Sequence, residues 1–166
     1  MNFSFGSKSK KFLDAMLHRK PDAAAQVSGS AAYRKLSGTV SFFQMQEGVL
    51  MRAEFTGLPG SDKKCGGAVL GFHIHEGNAC TGTRQDPFAD AKDHYNPDKC
   101  EHPYHAGDMP PLFSNNGYAF MTFLTDRFTV REIIGRAVIV HSNPDDFTTQ
   151  PSGNSGTKIA CGIIRR

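Results

Sequence analysis

At 166 residues, 39% hydrophobic and 21% charged, the chain has the size and balance of one soluble globular domain built on a single core. Its net charge of only +3 is too mild to argue for nucleic-acid binding, while leaving room for a small anionic substrate. No apolar run approaches the ~18 residues of a membrane span. The basic start Lys8-Ser9-Lys10-Lys11 leads only into residues 12–17, which Asp14 interrupts and His18-Arg19-Lys20 closes, so no secretory signal is expected.

Residues 1–22 read as an N-terminal arm, distinct from a domain over 23–166. Phe12, Leu13, Met16 and Leu17 fall at helical spacing, with Lys10, Lys11, Asp14 and His18 on the other side. This predicts a short amphipathic helix that ends before Pro21 and lies on the surface. Docking to a partner or a membrane is the sharper alternative, weakened by the little that ten residues bind alone. From about Ala24 the period changes to two. Val40, Phe42 and Gln44 alternate with Thr39, Ser41 and Phe43, and Val49, Met51, Ala53 and Phe55 share a face opposite Arg52 and Glu54. Gln46-Glu47-Gly48 between these runs reads as a hairpin turn. Runs at 25–30, 69–75, 118–125, 137–141 and 159–164 bring the count to about seven strands, and residues 128–134 have room for one helical turn. Short alternating strands without regular helical spacers predict an all-β antiparallel sandwich or barrel. Residues 76–117 and 142–158 are too long for hairpin loops, and long irregular loops in a compact domain are usually functional.

Those loops hold most of the chemistry. Six of seven histidines, His73, His75, His94, His102, His105 and His141, fall between the strand at 69–75 and the strand at 137–141; only His18 lies elsewhere. His73 and His75 leave the same face of one strand, so two imidazoles can converge on one ion. His94, His102, His105 and Asp108 make a complete tetrahedral zinc set. His141 ends a buried-type strand able to aim it. Spacing alone predicts a metal site and leaves the number and kind of ions open. The four cysteines, Cys65, Cys80, Cys100 and Cys161, include no C-x-x-C pair. Composition leaves disulfides, thiols and metal ligation open for them, and without a signal sequence the compartment favours thiols.

Five segments in order resemble copper–zinc superoxide dismutases over roughly residues 24–165. Gly71-Phe72-His73-Ile74-His75-Glu76 resembles the family's G-F-H-x-H-E signature, and His94-Tyr95-Asn96-Pro97 its bridging-histidine motif. His105-Ala106-Gly107-Asp108 resembles the zinc segment, and residues 134–141 the strand with the last copper ligand. Residues 153–162 resemble the G-N-A-G-x-R-x-A-C-G end of the active-site loop. The resemblance, to the bacterial type with a short active-site loop, implies a Greek-key β-sandwich or barrel, immunoglobulin-like in its packing. It implies copper on His73, His75, His94 and His141, and zinc on His94, His102, His105 and Asp108, with His94 shared. It implies that Asp145 orients a ligand of each metal, where the residues alone read as a solvated turn. It also implies a Cys80–Cys161 disulfide, overriding the thiol expectation and keeping a secreted or cell-surface location open beside a cytoplasmic one. A second bridge between Cys65 and Cys100 stands beside two free thiols. The implied activity is dismutation of superoxide to dioxygen and hydrogen peroxide by a Cu(II)/Cu(I) cycle in which the His94 bridge supplies a proton. A copper or zinc buffer or metallochaperone-like protein is the alternative.

Three departures from the family pattern carry expectations. Lys158 stands where the family places an arginine beside the copper. It keeps the charge and loses the planar fork of donors, so activity should be reduced, not abolished, relative to Lys158→Arg at matched copper loading. The loop after His141 is short and offers few charges for steering. Only Gly77-Asn78-Ala79 separate Glu76 from Cys80, a region that helps form the dimer in many relatives, which leaves monomer and homodimer both open.

Overall fold

The computed structural model describes residues 6–60 and 68–166. It contains helix α1 (Ser7–His18) and strands β1 (Ala23–Gly29), β2 (Ser37–Met45), β3 (Gly48–Thr56), β4 (Val69–Leu70), β5 (Phe72–His75), β6 (Leu112–Phe113) and β7 (Ala119–Thr125). The one-turn helix α2 (Val130–Ile133) and strands β8 (Ala137–His141) and β9 (Lys158–Arg165) complete it. Seven strands form one curled antiparallel sheet in the order β5-β8-β9-β1-β2-β3-β7. The pair β4–β6 bridges its ends, because β4 runs through Gly71 into β5 and β6 packs beside β7. The chain therefore crosses from one edge of the sheet to the other between β3 and β5, β5 and β7, and β7 and β8. These crossings are the Greek-key connections of an all-β barrel.

Period-two patterning explains the interior. Val40, Phe42, Val49, Met51, Ala53 and Phe55 all face one core, and the Phe55 ring meets Phe72 edge-on at 5.7 Å. The hairpin pairs Met45 with Gly48 across Gln46 and Glu47, and Gly48 takes φ +136, which a side chain would disfavour. Thr129 and Glu132 form a reciprocal capping box that starts α2.

One side of the pattern differs from the sequence expectation. Phe43 and Leu50 sit on the outer face yet are buried, because α1 lies over them. The face of α1 that packs is Phe12, Ala15 and Met16 rather than Phe12, Leu13, Met16 and Leu17; Leu13 and Leu17 are 37% and 64% exposed. The helix has no side-chain cap and no acid in its basic first turn, so little of its stability is intrinsic. Packing on the barrel and a hydrogen bond from Arg52 Nη1 to the Met16 carbonyl at 3.0 Å hold it.

Candidate metal centre

β5 is an edge strand, and an edge leaves backbone donors and acceptors open. Here those groups tie down the first long loop. Tyr95 N–H donates to the Ile74 carbonyl at 2.8 Å, Ile74 N–H to Gly107 at 2.9 Å, and Gly107 N–H to Tyr95 at 2.8 Å. This sets His94 beside His75 and Asp108 beside His73 in bridge register. Phe72 and Ile74 point into the core, so His73 and His75 point the other way, beneath the loop. His141 enters from the end of β8, where a bulge at Val140/His141 turns the chain out of register with β9.

Two buried groups result: His73, His75, His94 and His141, and His94, His102, His105 and Asp108, the potential ligand atoms of each lying within 4.8 Å of one another. His94 belongs to both. Its ring is 3.9 Å from that of His73 and 5.5 Å from that of His105.

The outer nitrogens fix which inner ones carry lone pairs. His73 Nε2 and His102 Nε2 donate to the two oxygens of Asp145 at 2.7 and 2.9 Å. His75 Nδ1 donates to the Lys92 carbonyl at 2.7 Å, and His141 Nδ1 lies 3.5 Å from the Gly156 carbonyl. In neutral rings the inner nitrogens are then bare. The His75 and His141 Nε2 atoms face each other at 3.1 Å, and His102 Nδ1 faces Asp108 Oδ2 at 3.1 Å. His73 Nδ1, His94 Nε2, His102 Nδ1 and His105 Nδ1 are buried without a hydrogen-bond partner. Opposed lone pairs and orphaned buried acceptors are costly unless a cation sits between them.

Protonation follows the same plan. Burial pushes His73 down to about 4 against the hydrogen bond it donates to Asp145, and pushes His75 and His141 well below their ordinary value. Burial also lowers His105, with Asp108 opposing. Burial would raise Asp145, but hydrogen bonds from His73, the Phe147 N–H and His102 outweigh it and hold the carboxyl at about 2. Burial likewise opposes ionisation of Asp108, and the hydrogen bond from His94 and the neighbouring histidine charges bring it below the usual range. At neutral pH the rings of His73, His75, His105 and His141 are neutral and both carboxylates charged, the state that metal ligation requires.

The family model for copper/zinc superoxide dismutase matches residues 36–164. The chain belongs to the copper/zinc superoxide dismutase family. It is 34% identical over 143 residues to "Superoxide dismutase [Cu-Zn] 2" of Aquifex aeolicus, an alignment covering 77% of this chain and 78% of the relative. It is 33% identical over 143 residues to the copper–zinc superoxide dismutase of Photobacterium leiognathi, covering 77% and 78%. Among solved structures, that of a superoxide dismutase-like protein from Bacillus subtilis superposes with a TM-score of 0.69 at 28% identity, covering 84% of this chain and 96% of that one.

All seven expected ligand positions meet in this centre. The Cys80–Cys161 disulfide forms as the family resemblance implied, with Cα atoms 5.6 Å apart, and joins the first loop to β9. Cys65 lies outside the described residues, and Cys100 is exposed. Asp145 and Asp146 divide their work. Asp145 turns inward to the two rings, while Asp146 accepts from the N–H groups of Thr148 and Thr149 and only builds the turn. Lys158 reaches the same cleft, of about 640 Å³, that His75, His94 and His141 line. Three contributors are unreadable in the sequence. Gln150 exchanges two hydrogen bonds with the backbone of His102, at 3.0 and 2.7 Å. Arg127 Nη1 lies 3.2 Å from the carbonyls of Pro103, His105 and Asp108. Asp86 pairs with Lys158 at 2.8 Å. Each acts across 19 to 72 positions of chain, on backbone groups or one ammonium, pairings that no spacing in the sequence announces. Among the described residues no helix is long and apolar enough to cross a membrane.

Proposed function

We propose that the protein is a superoxide dismutase that holds copper on His73, His75, His94 and His141 and zinc on His94, His102, His105 and Asp108. The observation that carries this reading is the pair of groups sharing one imidazole, with bare nitrogens turned inward. Three imidazoles and a carboxylate suit zinc, and an all-imidazole set suits an ion that must work in two oxidation states. When bound, copper would supply one-electron exchange, taking an electron from one superoxide to leave dioxygen and giving it to a second, which with two protons becomes hydrogen peroxide; zinc has no redox chemistry.

The chain's own part is positional. Asp145 locks the tautomers of His73 and His102 through one carboxylate and so couples the two groups. His94 turns Nδ1 to Asp108 at 2.7 Å, leaving Nε2 as the atom to hold one proton and release it. Lys158, opposite His141 across the β8–β9 ladder, places an ammonium group at the mouth, where its pairing with Asp86 tempers its pull on an anion.

A buffer or metallochaperone-like role is the second reading. What favours it is that Lys158 is already salt-bridged. Superoxide consumption after loading with zinc alone, then with copper and zinc, separates the two. A rate that appears only with both metals and exceeds that of free copper supports the dismutase; a rate equal to free copper supports the buffer.

A further inference from the structure

Lys158 opens β9 and is paired in register with His141, and its side chain is 16% exposed against 43% for its partner Asp86. Asp86 is not a loosely placed acid. Its Oδ1 accepts the Phe88 N–H at 3.2 Å, while Oδ2 accepts Lys158 Nζ at 2.8 Å. Its own N–H donates to Thr83 Oγ1 at 3.0 Å, and its carbonyl accepts the N–H groups of Thr83 and Ala89 at 2.8 and 3.2 Å. Six residues before it, Cys80 is joined to Cys161, three residues along β9 from Lys158. Carboxylate and ammonium are thus carried by two cross-linked segments. Both line the cleft of the first histidine group, with Glu76, Asp93 and Glu101 against Lys92 as its other charges.

We propose that Asp86 is a positioning residue that sets the anion affinity of this cleft, fixing Lys158 at the mouth and withholding its charge from incoming anions. An anion meets an ion pair there in place of a free cation, and the field of a pair falls off faster than that of a charge. The remaining lining carboxylates outnumber Lys92, so nothing else on the cleft wall replaces the cation. The inference builds on the reading of the cleft as the entry for superoxide, but it concerns anions of any kind.

The test is azide titration of the copper- and zinc-loaded protein, followed by visible absorption, in wild type, Asp86→Asn, Lys158→Met and the double variant. Asparagine keeps an oxygen for the Phe88 N–H, so the turn persists. Asp86→Asn should tighten azide roughly three- to tenfold, Lys158→Met should weaken it, and Asp86→Asn should have no effect once Lys158 is gone. Azide affinity in Asp86→Asn that stays within about twofold of wild type or falls overturns the proposal. A readout that needs no copper runs beside it: competitive acetylation of Lys158 in the zinc-loaded protein, read by mass spectrometry. Faster labelling in Asp86→Asn supports the pairing; unchanged labelling overturns it. A chain that binds azide as expected yet consumes no superoxide would sink the dismutase reading and leave this one standing.

Discussion

Asp145→Asn should uncouple the two metal groups, and unequally. The carboxylate has two distinct ends. Oδ1 accepts from both His102 Nε2 at 2.9 Å and the Phe147 N–H at 2.7 Å, whereas Oδ2 accepts only from His73 Nε2 at 2.7 Å. An asparagine has one oxygen to offer and will turn it to the end where two donors converge. Its NH2 then confronts the N–H of His73, and two donors cannot face each other at that distance in a buried site. His73 escapes by moving its proton to Nδ1, the nitrogen that points into the first group, and so loses its ligand lone pair. Loss of one charge-assisted hydrogen bond is worth ~1.5–3 kcal/mol, in line with the roughly 10–100-fold loss of metal affinity typical of such partners. Copper affinity should therefore fall by about that factor while zinc affinity falls less, measured by competition with chelators of known strength. Equal losses for both metals, or a larger loss for zinc, would refute the tautomer argument.

Other consequences follow from the same geometry. Gly153 has φ +65, and a Cβ there would overlap Asp145 Oδ1 and His102 Nε2, so Gly153→Ala should cost more than the ~1 kcal/mol of backbone strain alone and loosen zinc; an unchanged zinc affinity would contradict it. In the metal-free protein His73 is held at about 4 against an ordinary 6.5. Between those values the unfolded chain binds a proton that the fold refuses, so stability is full above about 6.5 and declines as pH falls to about 4. His73 alone accounts for about 3 kcal/mol of that decline, with His75 and His141 acting in the same sense. Urea midpoints of metal-free protein that do not drop across this window would rule the mechanism out. The Cys80–Cys161 bridge spans 81 positions, so replacing both cysteines by serine should lower stability by about 4.5 kcal/mol in the chain-entropy model. A denaturation midpoint that barely moves would show that the loop is held without it.

How far the sequence could be read depended on whether a feature was local. His73 and His75 announced themselves because strand period two puts them on one face, and the core strands did so by alternation. The same rule put Phe43 and Leu50 on the outer face, where they lie, but could not show that α1 covers them from a distant part of the chain, and Leu13 and Leu17 looked like packing residues because helical spacing cannot say which arc of an apolar stripe meets the barrel. Asp145 is beside an acid of identical appearance, and only the motif comparison separated them. Gln150, Arg127 and Asp86 work through backbone carbonyls, an amide and one ammonium group, contacts that leave no residue pattern behind.

The most direct test of the central claim is metal content measured together with superoxide consumption on one preparation. One copper and one zinc per chain, with a rate far above that of the same concentration of free copper and absent with zinc alone, is the expected result. Full occupancy of both groups with a rate no greater than that of free copper would contradict the account, and would leave the protein as a holder of metals.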